Sequence, residues 1–192
     1  MPNSIAAAEQ VPLETRQQWR AWLSRHHERP RGVWVVSWRK HTGRPAMTYE
    51  EQVLEALCFG WVDSTGKTLD ADRSMLYFAP RRKGSGWART NKERVASLEA
   101  AGLLAGPGRR AIEAAQADGS WTLLDDVEAL VVPADLERAF DRHPGSREHW
   151  DTSTASSRKQ VLGWIVAAKR PATRARRVEE AAAAAARGEG LR

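Results

Sequence analysis

Nine tryptophans in 192 residues set the first constraint on this chain. Burying one indole removes on the order of 200 Å² from water, worth up to about 5 kcal/mol at ~25 cal/mol per Å², more than a surface ion pair returns. A chain so rich in tryptophan must build a sizeable apolar interior, and its length suits one domain, or one domain with a helical extension. Trp19, Trp22, Trp34, Trp38 and Trp164 fall on apolar faces and read as packing residues. Trp61 and Trp87 read differently. They stand beside the glycine turn at Gly60 and in a basic loop, where an indole walls a pocket and stacks on a planar ligand or base.

The hydrophobic pattern divides the chain into a mixed front and a helical back. "LETRQQWRAWLSRHH" places Leu13, Trp19, Trp22 and Leu23 within reach of one helical face. "VWVVSW" alternates Trp34, Val36 and Trp38 against Val33, Val35 and Ser37, the period of a strand. "TYEEQVLEALCFG" opens on a capping box, Thr48 with Glu51, and closes at Gly60, predicting a helix. "WVDSTGKTLDADRSMLYFAP" reads as two short strands around a Ser-Thr-Gly turn, with a further loop at Asp70 to Asp72. Thr90 and Glu93 make a second capping box, predicting a helix from about Asn91 to Ala101. Beyond "GPG" at 106–108 only helical patterns follow, ending in an Arg-rich, Ala-rich segment. The expected fold is α+β: a small antiparallel sheet of about three strands packed by helices over residues 12–88, a helical part over 89–180, and a fraying tail at 181–192.

Charge is concentrated rather than spread. Residues 81–94 hold Arg81, Arg82, Lys83, Arg89, Lys92 and Arg94 against Glu93 alone, and residues 169–177 hold five more basic side chains. The total is only +6, so the rest of the chain is net acidic, as an anion site or a nucleic-acid contact requires. A solvated basic face accounts for such segments equally well. "PRRKGSGWAR" feeds a helix start, where free amides and the helix dipole join Arg81, Arg82 and Lys83 in favouring an anion.

Catalytic patterns are sparse. "GWVDSTGKT" resembles a phosphate-binding loop, but five residues separate Gly60 from Gly66 where that loop has four, and no helix follows Thr68. The histidines lack metal-ligand spacing, and the single cysteine, Cys58, in an apolar setting, reads as a buried thiol. No apolar run approaches the ~20 residues that cross a bilayer, and "MPNSIAAAEQ" lacks the basic start and apolar block of a signal peptide, so a cytoplasmic protein is expected.

"YEEQVLEALCFGWVDS", "FAPRRKGSGWARTNKERV", "AGLLAGPGRRAIEAAQADGSW" and "VLGWIVAAKRPATRARRV" together resemble successive blocks of the bacterial YdeI/OmpD-associated, or bacteriocin-protection, family over roughly residues 16–180. The resemblance implies a cytoplasmic protein tied to stress or antimicrobial resistance and carries no settled enzymology. The family's Ser-x-Trp-Ser-x-x-Asn pattern maps to Ser85, Trp87 and Asn91, with Ala88 in place of the second serine.

The functional expectation is a non-catalytic protein that binds or sequesters a small anionic or aromatic compound between the "CFGWVDS" turn and the basic loop. Arg81, Arg82 and Lys83 supply charge, Ser85 and Asn91 hydrogen bonds, and Trp61 and Trp87 a stacking surface, with Asp63 beside them. Two other classes stay open. One is nucleic-acid binding through both basic segments, and the other is an enzyme acting on a small molecule, for which Asp63 is the carboxylate to inspect. No cofactor, metal or membrane partner is expected.

Overall fold

The computed structural model describes residues 5–189. The chain divides into two compact units, one running to Ser85 and including Thr90–Trp121, the other formed by Gly86–Arg89 and the residues from Thr122 onward.

The first unit contains β1 (Gln10–Pro12), α1 (Arg16–His26), β2 (Val33–Trp38), α2 (Tyr49–Cys58), β3 (Trp61–Thr68), β4 (Arg73–Pro80), α3 (Arg89–Ala100) and α4 (Gly106–Ala117). Its sheet has the order β1-β2-β4-β3. Three of these strands form the antiparallel set read from the sequence. The fourth, β1, pairs parallel with β2 from Gln10↔Trp34 to Pro12↔Val36, and at three residues it is too short to leave an alternation in the sequence.

The alternation of β2 is realised and both its faces are covered. Val33 stands opposite Phe78, whose ring packs 5.4 Å from Trp19 of α1, so this face meets the helices. Trp34, Val36 and Met75 form the other face with Tyr77, Leu69 and Ala8, and Trp34 Nε1 donates to Ile5 O at 2.8 Å. The segment before β1 therefore shields a face that a three-stranded sheet would leave wet.

The hairpin connection lies at Leu69–Asp72, and the Ser64-Thr65-Gly66 stretch is instead a bulge within β3, between the pairs Asp63↔Phe78 and Gly66↔Leu76. Asp70 decides this: its Oδ1 accepts the amides of Asp72 and Arg73 at 3.0 and 2.8 Å, and its Oδ2 accepts Arg73 Nε at 2.8 Å. A side chain that closes the turn outcompetes a run of small residues, which a strand absorbs as a bulge.

The capping box of α2 forms as read, with Glu51 N on Thr48 Oγ1 and Thr48 N on Glu51 Oε2. The one expected at Thr90 does not start its helix, because α3 begins at Arg89 and Thr90 already lies in its first turn. Behind α2, Gly60 turns the chain at φ +74°, and α4 packs against the turn so closely that Gly108 has no room for a side chain.

The second unit contains α5 (Asp125–Glu128), α6 (Ala134–Arg142), α7 (Ser146–Thr152), α8 (Ala155–Val166) and α9 (Pro171–Ala186). Leu136, Phe140, Trp150, Leu162 and Ile165 fill its interior, and α9 lays Val178, Ala181, Ala182 and Ala185 against it. Alanines let that helix approach α6, α7 and α8 closely. The expected tail thus begins inside α9, and residues 190–192 lie outside the described residues.

Arg174 holds Asp135 with two hydrogen bonds, at 2.7 and 3.0 Å, and keeps its carboxyl below the usual range. A carboxyl with a depressed folded pKa adds stability that is complete above its unfolded value, near 3.9, and is lost as pH falls through the folded value. Urea unfolding of the chain should therefore show an acid-side loss of up to about 1 kcal/mol that Asp135→Asn removes. An unchanged acid limb in that variant would refute the assignment.

Candidate functional site

The eight residues singled out from the sequence separate into three groups. Trp61 and Trp87 are buried, at 0% and 1% exposure. Trp61 stands edge-on to Trp22 and Trp19, with centroids 5.7 and 6.4 Å away, and its Nε1 donates to His27 O at 3.0 Å. Both faces of that indole are spent on packing, so the stacking role read for Trp61 is corrected to a core role, and at 1% exposure Trp87 offers no face to a planar ligand either. The physical reason is that an indole gains more from burial than from walling a pocket.

Arg82 and Lys83 are exposed on the loop after β4. The loop is itself built: Ser85 N donates to Arg82 O at 3.1 Å, Gly84 adopts φ +73°, and Asp118 at the end of α4 stands close by. Hydrogen bonds from Ser120 hold the Asp118 carboxyl below its usual range, and the Gly84 amide and the Lys83 charge add to that.

Asp63 and Asn91 are engaged by Tyr49 and Arg94, and Arg94 in turn by Glu50; the sequence reading passes over Tyr49 and Glu50 and marks Arg94 only for its charge. Tyr49, the first residue of α2, donates its hydroxyl to Asp63 Oδ2 at 2.8 Å. Arg94 of α3 grips Glu50 with Nε and Nη2, at 2.8 and 2.6 Å, and gives Nη1 to Asn91 Oδ1 at 2.9 Å. Arg81 lies half-buried in the field of Asp63, and burial pulls its pKa down to about 10. Burial, followed by the bond to Asp63, pushes the Tyr49 phenol up, and Arg94 holds the Glu50 carboxyl down. Only a helix start facing a strand start produces this set. Its one sequence signal is the capping box, which places Tyr49 and Glu50 at the first turn of α2.

Tyr49 also lines a cleft of about 460 Å³ whose wall is Met47 and Gln52 and whose floor includes Val35, Ser37, Ser74 and Leu76. The opposed pair Ser37↔Ser74 puts hydroxyls on an otherwise apolar sheet face, and Gly66 adds no side chain to it. Gln52 is 7% exposed. Its Nε2 is committed to Met47 O at 3.3 Å and faces Ser37 Oγ at 3.5 Å, and its Oε1 has no hydrogen-bond partner among the described residues. Trp38, half-buried rather than core, forms the rim. Arg44 sits 4.2 Å over its ring, and its Nε1 donates to Glu14 Oε1 at 3.0 Å.

The second basic segment is largely used internally. Arg174 pairs with Asp135, Arg176 with Glu180, and Arg177 donates to Trp164 O while lying 5.1 Å over the Trp164 ring. Among the described residues no three His, Cys, Asp or Glu side chains are grouped to hold a metal ion, and no helix is long and apolar enough to cross a membrane.

A four-stranded mixed sheet backed by helices, with a ligand-sized cleft on its helix-facing side, and a separate helical unit define a two-unit α+β protein. The chain belongs to the family described as "Domain of unknown function (DUF8412)", matched over residues 11–111, and carries over residues 129–188 the domain described as "Bacteriocin-protection, YdeI or OmpD-Associated". The resemblance read from the sequence blocks thus holds for the helical unit, and the front of the chain, which supplied most of those blocks, falls under the first description. No curated protein and no solved structure matches the chain.

Proposed function

We propose that the N-terminal unit binds a small anionic or aromatic compound without transforming it, in the cleft between the start of α2 and the β3–β4 hairpin. The observation that carries this is the cleft itself: about 460 Å³, apolar at Val35, Leu76 and Met47, with Ser37, Ser74 and the 7% exposed Gln52 as polar points. Ligand sites have this constitution, and a buried acceptor without a donor costs on the order of 1–3 kcal/mol that a ligand's N–H or O–H recovers once the amide turns toward it. The Tyr49 hydroxyl links the cleft wall to Asp63, and Asp63 lies in the field of Arg81 and Arg94. Of the residues singled out from the sequence, Asp63 reaches this cleft through Tyr49, and none of the eight is among its lining residues. Bacteriocin protection, named for the domain of the second unit, is consistent with withholding an antimicrobial compound from its target.

The test uses the emission of Trp38 at the rim and a panel of aromatic carboxylates. At Gly66 an added Cβ meets Leu76 Cδ1 at 3.5 Å and Met75 O at 3.6 Å, so Gly66→Val should fold, with stability equal or up to about 1 kcal/mol higher, and fill the cleft. Binding should weaken more than about tenfold in that variant and depend only slightly on salt. A panel that leaves the emission unchanged, or affinity that survives Gly66→Val, would sink the reading.

A further inference from the structure

Arg16 and Arg20, one turn apart on α1, share a single carboxylate. Arg16 Nε lies 2.5 Å from Glu55 Oε1, and Arg20 Nη1 lies 2.8 Å from Oε2. The acid is sealed at 2% side-chain exposure, whereas both guanidinium groups are 37% exposed. Arg20 spends its remaining Nη on Leu103 O at 2.8 Å. Arg16 is anchored only through Nε, and its two Nη groups have no partner among the described residues. These residues line an open pocket of about 510 Å³ together with Thr15, Gln17 and Leu103, and Leu103 leaves 39% of its surface exposed there.

A guanidinium fixed at Nε presents its Nη pair as an end-on fork, the geometry that receives the two oxygens of a carboxylate. Within the lining two cations face one acid, so a single negative charge completes the set. A dianion is disfavoured, because its second charge has no counter-ion and stands in the field of the desolvated Glu55. Glu51 is the other acid that feels Arg16, but its carboxylate is already held by the amide and hydroxyl of Thr48. Leu103, beside the fork, calls for an apolar group on the ligand.

We infer that this pocket is a second binding site, for a small organic monoanion whose carboxylate sits on the Arg16 fork and whose short apolar body rests on Leu103. It shares no lining residue with the cleft at Gln52, and its occupancy does not depend on the reading given for that cleft.

The full chain is titrated with hexanoate, hexanol and inorganic phosphate by calorimetry, with the arginine side-chain resonances followed by NMR. Hexanoate should bind saturably and shift Arg16, hexanol should not bind, and phosphate should bind more weakly than hexanoate. Arg16→Gln should weaken hexanoate by about tenfold to a hundredfold. Leu103→Asp, which places a like charge on an exposed position, should do the same and keeps the test decisive if the first variant unfolds. Gly66→Val should leave this binding intact, which separates failure here from failure at the cleft. Equal binding of hexanol, tighter binding of phosphate, or hexanoate affinity unchanged in Arg16→Gln or Leu103→Asp would overturn the assignment.

Discussion

Trp61→Ala should destabilise the N-terminal unit by about 3–5 kcal/mol, the cost of emptying an aromatic site in a packed core. The side chain is 0% exposed and its neighbours are themselves large and rigid. Trp19 and Trp22 meet it edge-on and stack on each other with centroids 5.3 Å apart, and Phe78 closes the far side of Trp19. Such a set cannot collapse into the space left behind, because Trp19 is also tied by Nε1 to Gln52 O at 3.0 Å. Trp61→Phe should lose less, about 1–2 kcal/mol, mostly from the orphaned carbonyl of His27. Urea denaturation followed by circular dichroism measures both. Should Trp61→Ala keep wild-type stability while abolishing ligand binding, the indole is a ligand wall after all and the core assignment is wrong.

Gly108→Ala should cost about 3 kcal/mol although it adds one methyl group to a helix. The added Cβ would lie 2.4 Å from Cys58 O and 2.8 Å from Leu57 O. Both obstacles are backbone at the end of α2, so no rotamer change relieves them and the two helices must separate. Gly60, whose missing Cβ would sit 3.0 Å from Ala111 Cβ, belongs to the same contact. The matched control is Gly163 within α8, where an added Cβ meets nothing within 4 Å. There Gly→Ala should stabilise by about 0.5–1 kcal/mol through chain entropy alone. Thermal unfolding that ranks the two variants the other way would show that α2 and α4 are not in this contact.

The polar network and the clefts were legible only in part. Asp63 and Asn91 are held by Tyr49 and Arg94, with Arg81 in the field of Asp63, but Tyr49, Glu50 and Arg94 sit in segments that look like ordinary helix starts and exposed helix faces. Gln52 gave no signal, since a glutamine inside an amphipathic helix reads as a solvent-facing residue. The second basic segment looked like free charge because its acids, Asp135 and Glu180, lie 39 and four residues from their partners, and only the nearer pair can be guessed from helical spacing.

What followed from the chain alone were features set by neighbours in sequence: the α2 capping box, the two-residue alternation of β2, the helical character of everything after "GPG", and the demand of nine tryptophans for a deep interior. Which indole would be buried, that a parallel strand would join the sheet, and that two arginines would share one sealed glutamate were decided in the tertiary structure. Those outcomes depend on pairings across tens of residues, where burial energy, register and the satisfaction of single polar atoms are settled jointly and leave no local trace.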